Sequence, residues 1–124
     1  MADGKTVVVK RDCDRYRPYY YAAASGDFNP IHLDKELAQM FGLPGNILHG
    51  MCTMAWAAEA AVDALGGDPG NLKSLRVRFS RPVKLEDTVT FTAKVDPAGK
   101  VEMSAVNQDG QDVLKNIEAQ GQVG

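Results

Sequence analysis

The chain has 124 residues, a formal net charge of −2, and 44% apolar and 24% charged residues. This length and composition are those of one globular domain, and they exclude wholesale disorder. The mild negative charge argues against nucleic-acid binding, because domains that bind nucleic acid are usually basic.

The sequence also limits location and metal chemistry. No apolar run is long enough to cross a membrane, and residues 1–5 lack the apolar segment of a signal peptide. The two cysteines, Cys13 and Cys52, form no disulfide framework and show no zinc-ligand spacing with the two histidines. We therefore expect a cytoplasmic protein in which any histidine chemistry depends on His32 or His49.

The first predicted elements are a short strand and a short helix. Residues 6–11 are rich in β-branched side chains, which favour a strand. Pro18 suits the first turn of a helix, where its missing N–H costs nothing, and this helix is expected to end near Gly26. Residues 27–32 follow, and their Asn-Pro pair disfavours helix and predicts a loop.

Two further helices are predicted in the first half of the chain. Asp34 can cap a short helix, and the apolar face of that helix is expected to carry Leu37, Met40 and Phe41. The alanine-rich segment from Gly50 to Leu65 is the strongest predicted helix, and it is apolar over most of its circumference, so we expect it to be buried on most sides. Its apolar stripe is predicted to comprise Met51, Met54, Ala58, Ala61 and Leu65.

The second half of the chain alternates apolar and polar residues, which predicts about four antiparallel strands arranged as a meander. The alternating segments are residues 75–79, 88–95, 101–105 and 112–120. Lys115 interrupts the last alternation and predicts a bulge. Asp96–Gly99 and Asp109-Gly110 have the composition of tight turns.

These elements predict an α+β fold in which a curled antiparallel sheet surrounds one buried helix. No internal repeat or linker divides residues 1–124, so we expect a single domain. An open sheet of this kind leaves unpaired edge strands, and formation of a dimer is one way to cover such an edge.

Asp27 and His32 are the first candidates for catalytic residues. They lie five positions apart on the predicted loop, which Pro30 stiffens. A carboxylate beside an imidazole forms an acid–base pair, because imidazole titrates near neutrality and the carboxylate can fix its tautomer. The alternative is structural, with Asp27 capping a turn and His32 capping a helix.

The start of the alanine-rich helix is the second candidate site. Free N–H groups at a helix N-terminus are partly positive, and Gly50 lets a ligand approach the backbone closely, so this point can polarise a carbonyl group. The alternative is that Gly50 only permits a tight entry into the helix, beside a structural His49. Cys52 lies in the first helical turn and offers a rival hypothesis, a Cys–His nucleophile that hydrolyses thioesters.

The stretch SGDFNPIH at residues 25–32, followed by HGM at residues 49–51, resembles the signature of MaoC-like (R)-specific enoyl-CoA hydratases and (3R)-hydroxyacyl thioester dehydratases. The resemblance extends from about Tyr21 to Lys84. It implies the hot-dog fold, a curled antiparallel sheet around a long central helix. It also implies that Asp27 and His32 are the catalytic pair.

The resemblance further implies a set of substrate-binding residues. The backbone N–H of Gly50 matches the group that holds the thioester oxygen, and Ser25 and Asn29 match motif positions that shape the loop. We also assign Asn29 and Met51 to substrate binding. Some members of the family carry a serine on the central helix, whereas this chain has Ala57 and Ala58 there. That contact is therefore missing, which leaves the rate and the chain-length preference open.

A basic cluster contains Arg76 and Arg78, followed by Arg81 and Lys84. We assign Arg76 and Arg78 to substrate binding, because arginines can meet the phosphates of coenzyme A or of a carrier-protein arm. The alternative is that they form the solvated face of a strand.

The resemblance implies (R)-specific hydration of trans-2-enoyl thioesters and the reverse dehydration of (3R)-hydroxyacyl thioesters. The expected partner is an acyl thioester of coenzyme A or of an acyl carrier protein, without nucleic acid, membrane, metal or redox cofactor. A homodimer is expected, and a heterodimer or a dimer of dimers stays open. Two other functions also stay open, a hot-dog thioesterase and a non-catalytic acyl-thioester-binding subunit of a heterodimer.

Overall fold

A computed structural model describes residues 6–123, so the expectation about a signal peptide at residues 1–5 lies outside the described residues. The helices are α1 (Arg17–Ser25), α2 (Lys35–Met40) and α3 (Gly50–Ala64). The strands are β1 (Thr6–Asp12), β2 (Leu72–Phe79), β3 (Thr88–Val95), β4 (Lys100–Val106) and β5 (Asp112–Gly121). Two 3₁₀ turns, Pro30–His32 and Pro69–Asn71, complete the described elements.

The five strands form one antiparallel sheet in the order β1-β3-β4-β5-β2. The predicted four-strand meander is therefore wrong at one point, because only β3, β4 and β5 follow one another in space. Strand β2 lies at the edge beside β5, and the chain crosses from that edge to β3 through residues 80–87. Alternation along a strand shows which face is buried but carries no information about which strand is its neighbour.

Helix α3 is the central helix of the fold and packs against the sheet. The inward side chains of β3 are all buried, as the alternation predicts: Val89, Phe91, Ala93 and Val95. Trp56 of α3 meets Phe91 edge to face, with ring centroids 6.5 Å apart. Because the residues of α3 that face the sheet are mostly alanines, the sheet can approach the helix backbone closely.

The predicted apolar stripe of α3 is wrong at its first three members, whereas its last two, Ala61 and Leu65, are buried. Met51 is 61% exposed, and Met54 and Ala58 are only partly buried. The buried face comprises Cys52, Thr53, Trp56, Ala57, Ala60, Ala61 and Ala64. Since apolar residues cover almost the whole helix, hydrophobic periodicity cannot select the face that meets the sheet.

Helix α2 begins as predicted but packs differently. The Asp34 carboxylate caps it by accepting hydrogen bonds from the backbone N–H groups of Glu36 and Leu37, at 3.0 and 3.2 Å. The predicted apolar face is wrong, because Met40 and Phe41 are exposed, and Phe41 is exposed by 70%. Ala38 is the buried residue of this short helix.

Strand β5 contains the predicted bulge, one position beyond Lys115. Arg78 pairs with Lys115 and Arg76 pairs with Glu118, so β5 has one residue more than β2 in this interval. Asn116 takes the left-handed conformation there, with φ of 51°. None of the described helices is long and apolar enough to cross a membrane.

Candidate active site

The loop after α1 positions Asp27. Gly26 ends the helix in the left-handed conformation, with φ of 80°, where glycine has no steric penalty. The Asp27 N–H then donates to Ser25 Oγ at 3.2 Å, and the Asn29 N–H donates to Asp27 Oδ1 at 3.1 Å. These two local bonds turn the chain so that the Asp27 carboxylate faces His32.

His32 lies in the following 3₁₀ turn and is buried. Its Nδ1 is 2.9 Å from the backbone oxygen of Ile47. A carbonyl oxygen only accepts hydrogen bonds, so Nδ1 carries the proton, and in the neutral ring Nε2 carries a lone pair. Asn46 Nδ2 donates to the His32 carbonyl at 3.2 Å and fixes the backbone of the same turn.

The Nε2 atom of His32 and Oδ2 of Asp27 are 3.9 Å apart. This distance is too long for a direct hydrogen bond. It does allow one water molecule beside the two atoms to donate to both, because each presents a lone pair. The loop predicted from the sequence therefore holds a carboxylate and an imidazole in a geometry suited to activating water.

Gly50 and His32 line the same cavity, whereas Asp27 lies outside its lining. Gly50 is the first residue of α3, so its N–H has no acceptor within the helix. The cavity has a volume of about 290 Å³. It is lined by His32, Ile47, Leu48, Gly50, Thr53, Phe79, Ser80, Arg81, Pro82, Val83 and Val113. The His32 imidazole and the N-terminus of α3 therefore line one cavity, which is large enough for an acyl group.

The other predicted binding residues lie elsewhere. The Asn29 side chain accepts from the Ile31 N–H at 3.2 Å and shapes the loop. Met51 is exposed at the start of α3. Arg76 and Arg78 line a separate cavity beside β5, and Arg76 pairs with Glu118 at 3.6 Å. These four residues therefore stay predictions as substrate contacts.

Several residues of the cavity were not predicted as site residues. Thr53 is three positions after Gly50 on α3, which places both on one side of the helix, and this spacing was a usable signal. The sequence presents Arg81 only as part of the basic cluster. Phe79 and Val113 come from β2 and β5, and nothing in the sequence places these strand residues at the N-terminus of α3.

Asp27, His32 and His49 offer metal-ligand atoms within 4.8 Å of one another. The two imidazole rings are stacked, with centroids 3.9 Å apart and planes inclined by 20°. Ligand lone pairs lie in the ring planes, so two nearly parallel rings cannot both point at one ion. A shared metal ion would require one ring to rotate and to lose its hydrogen bond to the backbone.

The two thiols lie in the core rather than in the site. Cys13 and Cys52 are both free and buried. Burial raises the pKa of the Cys52 thiol, and burial also raises the pKa of Cys13 from 9.0 to about 12. A thiol with a raised pKa is a poor nucleophile at neutral pH, which disfavours the Cys–His hydrolase hypothesis.

Residues 8–117 match the protein family described as the MaoC like domain. The chain belongs to the MaoC-like domain family. The matched residues include Asp27, His32 and Gly50.

A curated relative and two solved structures extend this result. The chain is 36% identical over 98 residues to "Probable enoyl-CoA hydratase 2" of Dictyostelium discoideum. That alignment covers 77% of this chain and 33% of the relative, so the chain spans about a third of the relative's length. The structure of a MaoC-like dehydratase from Phytophthora capsici is 31% identical, with a TM-score of 0.86, and the match covers 94% of this chain and 40% of that one.

The R-hydratase PhaJ1 from Pseudomonas aeruginosa, in its unliganded form, matches over nearly its whole length. The TM-score is 0.78 and the identity 29%, and the match covers 100% of this MaoC-like chain and 84% of that one. Together with the sheet order and the central α3, these similarities confirm the predicted α+β hot-dog fold.

Proposed function

We propose that this MaoC-like chain is an (R)-specific hydratase of trans-2-enoyl thioesters that also catalyses the reverse dehydration of (3R)-hydroxyacyl thioesters. The observation that carries the proposal is the pairing of His32 Nε2 with Asp27 Oδ2 across 3.9 Å, beside the cavity that Gly50 lines. This arrangement supplies a base for water and a hydrogen-bond donor for the substrate carbonyl.

In hydration, the water between Asp27 and His32 forms a bond from its oxygen to C3 of the substrate. The pair accepts one proton from this water and delivers one proton to C2, so the elements of water add across the double bond. General acid–base groups typically contribute about 10²–10⁴-fold to such rates.

The thioester oxygen gains negative charge as C3 is attacked. We assign the Gly50 N–H to this oxygen, because the first N–H of α3 has no acceptor in the helix and carries the partial positive charge of the helix terminus. Loss of one such donor typically costs about 2.7–4 kcal/mol of transition-state stabilisation.

The partners and the location are part of the same proposal. We propose an acyl thioester of coenzyme A or of an acyl carrier protein as the substrate, with Arg76 and Arg78 available to its phosphates. A homodimer is favoured because β1 and β2 are open edges of the sheet in the described chain. We propose the cytoplasm as the location, because the two cysteines are free and thiols stay reduced there.

The test is a spectroscopic hydration assay on trans-2-enoyl thioesters of short and long acyl chains. We expect the parent protein to consume the enoyl absorbance, and we expect Asp27→Asn and His32→Ala each to lower kcat by about 10²–10⁴-fold. An inactive parent on all chain lengths, or two fully active variants, would refute the proposal.

Three further measurements accompany this assay. A thiol reagent in the same assay reports hydrolysis, since a thioesterase releases free thiol whereas a hydratase does not. Parallel assays with coenzyme A thioesters and with phosphate-free N-acetylcysteamine thioesters report the contribution of phosphate contacts. Chiral analysis of the product then assigns the stereochemistry of the new hydroxyl group.

A further inference from the structure

His49 precedes α3 and is the most buried polar side chain next to the catalytic pair, with 2% of its surface exposed. Its side chain makes no capping bond to the helix that it precedes. The ring is held between Tyr21, at a centroid distance of 4.8 Å, and His32, at 3.9 Å. A simple role at the start of the helix therefore does not account for this histidine.

The polar contact of His49 is with the loop that carries Asp27. Nε2 of His49 lies 2.9 Å from the backbone oxygen of Asp27, and since a carbonyl only accepts, Nε2 donates. The other ring nitrogen, Nδ1, is buried and has no hydrogen-bond partner among the described residues. The bond to the Asp27 carbonyl is thus the one polar interaction that the described chain offers this ring.

The turn that carries Asp27 lies at the surface. The Asp27 side chain is 54% exposed, and residues 26–29 are all exposed. The Asp27 N–H donates to Ser25 Oγ and the Asn29 N–H donates to Asp27 Oδ1, and these local bonds shape the turn without tying it to the core. The bond from His49 joins this exposed turn to the buried start of α3, while the stacked face of the same ring supports His32.

We propose that His49 is a positioning residue, which sets the distance between the Asp27 carboxylate and His32 through its bond to the Asp27 backbone. This inference rests on the proposed hydratase function. A displacement of about 1 Å at reacting groups can lower a rate by about 10²-fold, so loss of this bond is expected to act on kcat rather than on substrate binding.

The test uses two amide side chains that differ in reach. In His49→Gln the amide nitrogen can occupy the place of Nε2 and donate to the Asp27 carbonyl, whereas in His49→Asn the nitrogen is too short to reach it. We expect His49→Asn to lower kcat by about 100-fold with KM within about threefold, and His49→Gln to stay within about fivefold of the parent. Thermal denaturation shows that both variants are folded at the assay temperature.

A double-mutant comparison identifies the residue through which His49 acts. In an Asp27→Asn background, the additional loss from His49→Asn is expected to fall to less than about threefold, because the carboxylate that it positions is gone. If His49 had a merely structural role, the decreases in kcat caused by Asp27→Asn and by His49→Asn would multiply in the double variant. Equal activities of the Gln and Asn variants, a change confined to KM, or multiplicative losses would each overturn the inference.

NMR provides a measurement that needs no turnover. Imidazole ¹⁵N spectra of the parent are expected to show a proton on Nε2 of His49, and the amide signals of Asp27 and Asn29 are expected to shift in His49→Asn and to return in His49→Gln. Absence of these changes overturns the inference even when the parent is an active hydratase. An inactive parent that shows them refutes the proposed function and leaves the positioning role supported.

Discussion

Two backbone carbonyl groups determine which ring nitrogen of His32 and of His49 carries the proton. The Ile47 oxygen requires the proton of His32 on Nδ1, and the Asp27 oxygen requires the proton of His49 on Nε2. The lone pair of His32 consequently faces Asp27. The two histidines thus have opposite tautomers and different tasks, although the sequence presents them as equivalent residue types.

Gly50 is the residue whose substitution tests the shape of the cavity. A Cβ atom at this position would lie 3.1 Å from Cε1 of Phe79, which is tighter than ordinary contact. The Phe79 ring is 53% exposed and can move, so we expect Gly50→Ala to fold with nearly unchanged stability. We expect kcat/KM for enoyl thioesters to fall by at least about tenfold, because the methyl group and the displaced ring narrow the space beside the N–H.

The control for this prediction is a second substitution on the neighbouring strand. Phe79→Leu removes the ring atoms that the new methyl group meets, so the double variant is expected to recover part of the lost kcat/KM. If the double variant is no better than Gly50→Ala alone, contact with Phe79 is not the cause of the loss.

At the scale of single elements, the alanines of α3 determine how closely the sheet approaches the helix. Ala60 is fully buried on this helix, whereas Ala55 is exposed. We expect Ala60→Leu to lower the free energy of unfolding by about 1–3 kcal/mol, because a larger side chain overpacks the interface with the sheet. Ala55→Leu serves as the matched control and should change the free energy of unfolding by less than about 0.5 kcal/mol. Urea unfolding of both variants provides the comparison, and equal stabilities would contradict the packing described.

The bulge in β5 gives a second prediction at this scale. Asn116 has φ of 51°, a conformation that asparagine tolerates and that a β-branched residue strongly disfavours. Asn116→Val is therefore expected to lower the free energy of unfolding by about 1–2 kcal/mol, and Asn116→Gly to leave it nearly unchanged. Lys115→Val places the same side chain on the preceding exposed residue and is the control. A Lys115→Val effect as large as that of Asn116→Val would contradict the assignment of strain to the bulge.

The elements could be predicted from the sequence to the extent that local chemistry determines them. Asp34 caps α2, Gly26 ends α1, and the alternation of β3 marks its buried face, since each signal acts within a few residues. The buried face of α3 could not be predicted, because the helix is apolar all round. The place of β2 beside β5 could not be predicted either, because it depends on how the chain crosses the sheet.

At the scale of the whole molecule, the site is assembled from distant parts of the chain. The Asp27 and His32 pair was predictable, because five residues of loop bring the two together, and the resemblance to a family identified Gly50. Thr53, Phe79 and Val113 line the same cavity although they come from α3, β2 and β5. The sequence therefore predicts the proposed reacting groups, whereas the other residues that line the cavity follow from the fold.

The buried thiol of Cys13 predicts how the stability of the whole domain depends on alkaline pH. Burial raises its pKa from 9.0 to about 12, so between these values the unfolded chain loses a proton that the folded chain keeps. The contribution of this thiol to the free energy of unfolding is fully present below pH 9. It declines as the pH rises above 9, with a slope of up to about 1.4 kcal/mol per pH unit.

The corresponding measurement is urea unfolding of the parent and of Cys13→Ala at pH 8 and pH 10. We expect the parent to lose about 1.4 kcal/mol more than Cys13→Ala over this interval, because the variant has no thiol to ionise on unfolding. Contributions that the two proteins share cancel in the difference. Equal losses in the two proteins would show that Cys13 ionises as readily in the folded chain as in the unfolded one, which its complete burial in the core opposes.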